Sequence, residues 1–325
     1  MNKTISIALA TYNGERFLRE QLDSLCAQTH KPSELVVSDD NSSDGTLGIV
    51  DEYKTLLNIK VLTHSIKQGV NRNFETAIRA CSGDYIMICD QDDVWMPEKI
   101  EITFKYMLQM EQQVGEEKPI LVSTEKRNFS KSENIKTRSG SCNGIITGFN
   151  NHFFSREPHC QGCLMMFNRP MLNTLKEFPA NFKEFTYDGY IAFVANIVGY
   201  RCYVNQVMMN YRIHGNNVIG GTISELTGLQ WLKEKLPILA YQLFGCPSKR
   251  LYQYESIYPY YDKDIRDIIR HQTINKSIQY NHCRNIIKKS YIVFTMNGFS
   301  VGVKIKYLLL LWLTIPFRLL YKQPH

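Results

Sequence analysis

The chain has 325 residues, 44% of them hydrophobic and 21% charged, the proportions of an ordinary globular protein with enough length to bury a sizeable core. Its net charge of +7 is unevenly placed: the 58 residues after Asp267 hold six Lys, three Arg and no acidic residue, so the rest of the chain sums to −2, which excludes a uniformly basic nucleic-acid binder. Nine scattered cysteines, an odd number, fit a reducing compartment, and the opening MNKTISIALATYNG reads as a strand and its loop rather than a cleavable leader.

The apolar run Ile5–Ala10 predicts a first strand, and the spacing of Phe17, Leu18, Leu22, Leu25 and Cys26 predicts a helix over Glu15–Gln28. Glu34–Ser38 is a second strand that ends in Asp39-Asp40. A helix follows over Asp44–Leu57, with Asp44 at its N-cap, then a short strand Ile59–Thr63 and a helix Asn71–Cys81. Tyr85–Cys89 is a fourth strand, and Pro97 leads a helix over Glu98–Gln112. Such alternation predicts right-handed βαβ units and an α/β fold with a parallel sheet covered on both faces.

Glu116–Asn151, rich in Lys, Ser, Asn and Gly, reads as a surface excursion. Gly162–Asn168 is a strand, a helix starts from Pro170, Tyr187–Val198 is a buried helix, and Tyr200–Val207 is a strand. Tyr211-Arg-Ile-His-Gly-Asn-Asn217 has little periodicity and dense hydrogen-bonding capacity. Beyond Glu225 the pattern is helical. Cys160 and Cys163 form a C-x-x-C without a second pair, so thiols packed near a strand fit better than a zinc or redox site.

The most informative stretch is Asp90-Gln91-Asp92-Asp93, directly after the strand Tyr85–Cys89. Like charges this close need a cation, and oxygen ligands suit Mg²⁺ or Mn²⁺ bridging carboxylates to phosphates. A solvated acidic turn is the plainer alternative. Two further polar clusters, Thr11-Tyr12-Asn13-Gly14 and Asp39 to Gly45, follow the first two strands. Parallel strands bring all three to one sheet edge, where open α/β sheets bind ligands. No G-x-G-x-x-G follows the first strand and no P-loop occurs, which argues against dinucleotide and ATP-hydrolysing folds.

The segments ALATYNGERFLREQLDSLCAQT, ELVVSDDNSSDGT and GDYIMICDQDDVWMPEKI together resemble family 2 glycosyltransferases of the GT-A fold. The later segments GCLMMFNRPML, TYDGYIAFVANIVG and YRIHGNN resemble the rhamnosyltransferase-like branch of that family. The resemblance covers residues 4 to about 220. It implies a doubly wound, mostly parallel sheet in a domain of residues 1–224, with a nucleotide-sugar half (1–112) and an acceptor half (113–224). A helical, basic region of residues 225–325 follows.

The resemblance also implies roles. Asp39 or Asp40 would accept from the N3–H of uracil or thymine, with Thr11, Tyr12 and Asn13 beside the base and ribose. Arg72 would contact base or phosphate, unless it is a solvated helix-start residue. Asp90 would face ribose and metal, and Gln91 beside it would also bind the nucleotide. Asp92 would bind the metal, with Asp93 the runner-up ligand. His214 would be a third metal ligand or phosphate contact, and Arg212 would clamp the diphosphate. Asn216 and Asn217 suit sugar or phosphate, and Gly162 permits close backbone approach. Asp188 would be the acceptor's base, the alternative being a helix N-cap. The family's commoner D-W is D-G-Y here, which alters acceptor stacking.

The implied reaction is inverting transfer of L-rhamnose from dTDP-L-rhamnose, or of glucose or galactose from a UDP-sugar, to a lipid-diphosphate-linked bacterial surface glycan. A non-catalytic nucleotide- or glycan-binding protein on the same fold is the alternative from another class. Within the tail, Tyr307–Phe317 is apolar, flanked by Lys304, Lys306, Arg318 and Lys322, and too short to span a bilayer. A basic, aromatic segment of this kind fits the surface of an anionic membrane, which predicts a cytoplasmic protein held at the inner face of the plasma membrane. A core helix is the alternative.

Overall fold

The computed structural model describes residues 3–129, 144–147, 161–178, 186–214 and Tyr291. The chain divides into one unit of Met1–Gly148 with Glu157–Thr222 and a second of Phe149–Arg156 with Ile223–His325. Apart from Tyr291, the second unit lies outside the described residues, and so do Asn216, Asn217 and the whole segment Tyr307–Phe317.

In chain order the elements are β1 Ile5–Thr11, α1 Glu15–Cys26, β2 Glu34–Asp39, α2 Thr46–Glu52, β3 Ile59–Thr63, α3 Val70–Ala80, β4 Tyr85–Cys89 and β5 Val94–Trp95. They continue with α4 Lys99–Val114, β6 Ile120–Phe129, β7 Gly144–Thr147, β8 Met165–Asn168, α5 Arg169–Thr174, α6 Tyr187–Val198 and β9 Tyr200–Arg212. The strands form one sheet in the order β3-β2-β1-β4-β8-β6-β9-β5, with β7 paired to β9.

The first four strands in that order are mutually parallel. β1 and β4 are buried along their whole length, and β2 from its second residue on, which is why they read as unbroken apolar runs. β3, at the edge, is only half-buried, with Lys60 and Thr63 exposed. The helices cover the sheet with apolar faces: Leu18, Leu22 and Leu25 of α1 and Phe74, Ala77 and Ile78 of α3 are buried. Because β1 and β2 pair Thr11 with Asp39, and β1 and β4 pair Leu9 with Cys89, the three polar clusters leave the sheet at the same edge.

Beyond β4 the sheet becomes mixed. β8 runs antiparallel to β4 and to β6, while β9 is parallel to β6, with irregular register around Ser123 to Lys126. The expected surface excursion over Glu116–Asn151 therefore needs correcting, since it contains β6 and β7. Only Ile120–Val122 carries an apolar run, and Ser123–Asn128 are charged or polar although Glu125 is buried. The strand expected over Gly162–Asn168 begins as a 3₁₀ turn at Gly162–Leu164. The helix expected over Asp44–Leu57 is split into α2 and a 3₁₀ turn at Tyr53–Thr55. Asp44 sits just ahead of α2, accepting from the Thr46 N–H at 3.1 Å.

The strand expected over Tyr200–Val207 runs on to Arg212. Its last residues pair with the two-residue β5, Val94 with Asn210 and Trp95 with Met209. That short antiparallel contact returns the end of β9 to the acidic loop that precedes β5.

Candidate active site

The loops after β1 and β2 are stitched together before any ligand arrives. Thr11 Oγ1 donates to Asp39 Oδ1 at 2.7 Å, and the Ser42 hydroxyl and N–H donate to the same carboxylate. Asn13 N donates to Ser42 Oγ at 2.8 Å, and Asn13 Oδ1 accepts from Ser43 N at 2.9 Å. Asn13 and Asn41 both adopt positive φ, 47° and 65°, a conformation Asn tolerates better than most residues. Asp40 accepts from the Gln68 and Gly69 N–H groups, which ties the start of α3 to this edge. Asp39 and Asp40 are both buried, whereas Tyr12 is exposed with Lys67 Nζ 3.5 Å above its ring.

Asp90, Asp93 and Cys163 bring one ligand atom each within 4.8 Å of one another, a set able to hold a metal ion. Asp92 Oδ2 stands 2.8 Å from His214 Nε2, and both side chains keep 16% of their surface exposed. His214 also packs on Phe17 at 4.8 Å between ring centres.

Burial and the neighbouring charge of Asp92 push the Asp90 carboxyl up to about 7, and Asp188 adds to the same push. Asp93 is also raised, by burial and by Asp90 and Asp92, and its Oδ2 is buried without a hydrogen-bond partner. Crowded carboxylates of this kind, one with an unsatisfied oxygen, fit a divalent cation.

Two lysines, one buried and one half-buried, share the neighbourhood. Lys99 is fully buried, donates to the Cys163 carbonyl at 2.6 Å and lies 4.4 Å from the Trp95 ring. Its pKa falls to about 8 because burial outweighs the pull of nearby acids. Lys126 stacks over Tyr211 at 3.3 Å, and burial lowers it too. Sequence reasoning missed both; Lys99 opens α4, six residues after Asp93. Cys163 is a free thiol whose pKa burial raises well above its ordinary value, so it is not a reactive nucleophile. Cys160 lies outside the described residues.

Arg212 is buried and committed to the protein. Its N–H donates to Asp93 Oδ1 at 3.0 Å, its Nε to the Asp92 carbonyl at 2.7 Å, and its Nη2 to Glu20 at 2.7 Å. Here it fastens the acidic loop to β9. Arg72 likewise bonds Glu75 at 2.6 Å and Glu177 at 2.5 Å.

Asp188 lies in the first turn of α6, whose N-cap is Thr186. It is therefore not the cap itself. Its Oδ1 accepts from the Gly189 N–H at 2.7 Å and its Oδ2 from the Gly162 N–H at 3.2 Å. Burial raises its pKa, opposed by the Thr186 hydroxyl and those N–H groups. The preceding Tyr187 is stacked on Phe74 at 4.0 Å, and its N–H donates to Asn71 Oδ1 at 2.8 Å. A Cβ on Gly162 would come within 2.2 Å of Tyr187 Oη, so a glycine there lets the chain pass close to α6.

The sequence profile of glycosyl transferase family 2 matches residues 6–175. The dTDP-rhamnosyl transferase RfbG of Shigella flexneri is 29% identical over 234 residues, 66% of this chain and 75% of that one. The Escherichia coli glucosyltransferase WfgD, which uses UDP-Glc and a GlcNAc-diphosphoundecaprenol, is 36% identical over 104 residues, 32% of this chain and 41% of its own. Among solved structures, TarS of Staphylococcus aureus with UDP superposes with a TM-score of 0.56 at 14% identity, over 99% of this chain and 93% of that one. The mannosyltransferase PcManGT of Pyrobaculum calidifontis, solved with GDP-Man and Mn²⁺, gives 0.50 at 16% identity, over 98% and 88%. These structural likenesses show a shared GT-A fold. With its profile match covering more than half of its length, the chain belongs to glycosyl transferase family 2.

Proposed function

We propose that the protein is an inverting, metal-dependent hexosyltransferase that moves a sugar from a nucleoside diphosphate to a hydroxyl of a growing, lipid-linked surface polysaccharide. L-Rhamnose from dTDP-L-rhamnose is the first choice of donor. The likeness to the dTDP-rhamnosyl transferase, which runs through 66% of the chain, favours it. UDP-glucose or UDP-galactose is the second, favoured by WfgD and by the UDP found with TarS.

The observation that carries the reading is the meeting of distant segments at one sheet edge. Asp92 reaches His214 at 2.8 Å, and Asp188 lies close enough to Asp90 for its charge to raise that carboxyl. Asp92 and His214, with Asp90, would hold Mg²⁺ or Mn²⁺, with Asp93 the runner-up ligand. The ion would supply charge neutralisation for the departing diphosphate.

The chain's own residues do the rest. The loop of Thr11, Tyr12 and Asn13, with Asp39 and Asp40 behind it, binds base and ribose. Tyr12 offers an exposed ring for stacking. Asp188, held by two backbone N–H groups, takes the proton of the acceptor hydroxyl as it attacks the anomeric carbon. One displacement inverts that carbon. Arg72 reaches phosphate only by leaving Glu177, and Arg212 acts by holding the acidic loop in place.

Among the described residues no helix is long and apolar enough to cross a membrane. The nine positive charges after Asp267 support attachment to an anionic membrane surface instead, where a lipid-linked acceptor would be met. Calorimetric titration with dTDP and UDP tests the reading: one of them binds, and Mn²⁺ strengthens it. Binding of neither contradicts it.

A further inference from the structure

β1 and β4 pair in parallel as far as Leu9 and Cys89 and then diverge into their loops. Two residues beyond Cys89, the Gln91 side chain continues the connection. Its Oε1 accepts from the Tyr12 N–H at 2.9 Å, and its Nε2 donates to the Tyr12 carbonyl at 3.1 Å. The amide thus acts as a peptide group of a neighbouring strand would, satisfying both backbone groups of a residue that has left the sheet.

Gly14 makes room for this. The three atoms nearest to a Cβ built there all belong to the Gln91 amide, Oε1 being only 2.3 Å away. The backbone of Gly14, with φ −96°, is open to any residue, so space around Gln91 rather than conformation is what calls for glycine.

We infer that Gln91 is a positioning residue that clamps the nucleotide loop Thr11–Gly14 to the acidic loop Asp90–Asp93, with Gly14 as the space the clamp requires. Its amide is spent on the protein, so it acts on the nucleotide through Tyr12. The clamp fixes the Tyr12 backbone relative to the acidic loop, so base and diphosphate are received at a set separation. This rests on the nucleotide-sugar reading above.

A double-mutant cycle in the full chain tests it, with dTDP and UDP plus Mn²⁺ as probes, calorimetry as the readout and thermal unfolding as the folding control. Gln91→Ala and Gly14→Ala should each weaken the tighter-binding nucleotide by roughly tenfold, the scale of a lost pair of hydrogen bonds. The double variant should bind within about twofold of Gln91→Ala, because Gly14→Ala has nothing left to displace. Losses that multiply, or single variants that bind like wild type, overturn the clamp. If Gln91→Ala fails to fold, Gly14→Ala alone decides, by losing affinity or keeping it. If the wild-type chain binds neither nucleotide, the donor reading fails and the clamp falls with it.

Discussion

Asp92 and His214 stand 122 positions apart in the chain and meet at 2.8 Å. The contact depends on β5, whose two residues hold the end of β9 against the acidic loop, and on Arg212, which bonds both Asp92 and Asp93. The second half of the domain thus reaches the acidic loop that the first half supplies, where the proposed metal site lies.

Removing either partner should expose that dependence. Asp92→Ala should abolish Mn²⁺-dependent nucleotide binding. His214→Ala should weaken it by about tenfold, the loss of one of three ligands in a site of modest affinity. Titration of each variant with Mn²⁺ at saturating nucleotide checks both, and an unchanged Mn²⁺ requirement in Asp92→Ala would remove that residue from the site.

Asp188→Asn keeps the shape of the side chain and removes the proposed base. Turnover should fall by roughly 10²-fold or more while nucleoside diphosphate affinity stays within about twofold of wild type. Because burial raises the pKa of Asp188, wild-type turnover should climb as pH rises through the range where it ionises, and the variant should lose that limb.

The acidic loop also predicts a pH dependence of stability. Asp90 has an ordinary value of 3.8 and is raised to about 7 in the fold. The folded chain therefore holds that proton more tightly than the unfolded chain. The stabilising contribution is present below the unfolded value and is lost as pH rises toward 7. Thermal unfolding without divalent ions should show Asp90→Asn flattening the slope over that window. Ion and proton compete, so Mn²⁺ should stabilise wild type more near about pH 7.5 than near about pH 5.5. Equal stabilisation at both would count against Asp90 as a ligand.

How much of this the sequence revealed follows from where each signal is local. β1, β2 and β4 are apolar runs ended by carboxylates, so the parallel half and its polar edge were legible from residues 5 to 93. β6 was not, because only three of its residues advertise a strand and its pairing with β9 is with a segment eighty residues away. β5 is too short to have a period at all. Candidate site residues could be named from the motifs, yet the pairing of Asp92 with His214 was not legible, nor were the roles of Arg72 and Arg212 in ion pairs, since these depend on side-chain partners. Lys99 and Lys126 were silent because a lysine reads as surface until its neighbours are known.

The tail makes a separate prediction from charge alone. Deleting Lys304–His325 removes four of the nine positive charges after Asp267 together with the apolar segment. The shortened chain should leave vesicles containing anionic lipid yet bind nucleotide as before, and salt should weaken attachment of the full chain. Indifference of the full chain to anionic vesicles in a sedimentation assay would sink the membrane claim.

The most direct measurement is release of nucleoside diphosphate from a panel of dTDP-, UDP- and GDP-sugars, each with and without Mn²⁺. The account predicts turnover of one donor, dTDP-L-rhamnose first among them, that requires the ion and is lost in Asp92→Ala. Equal turnover after chelation, or no turnover and no binding of any donor, would contradict it.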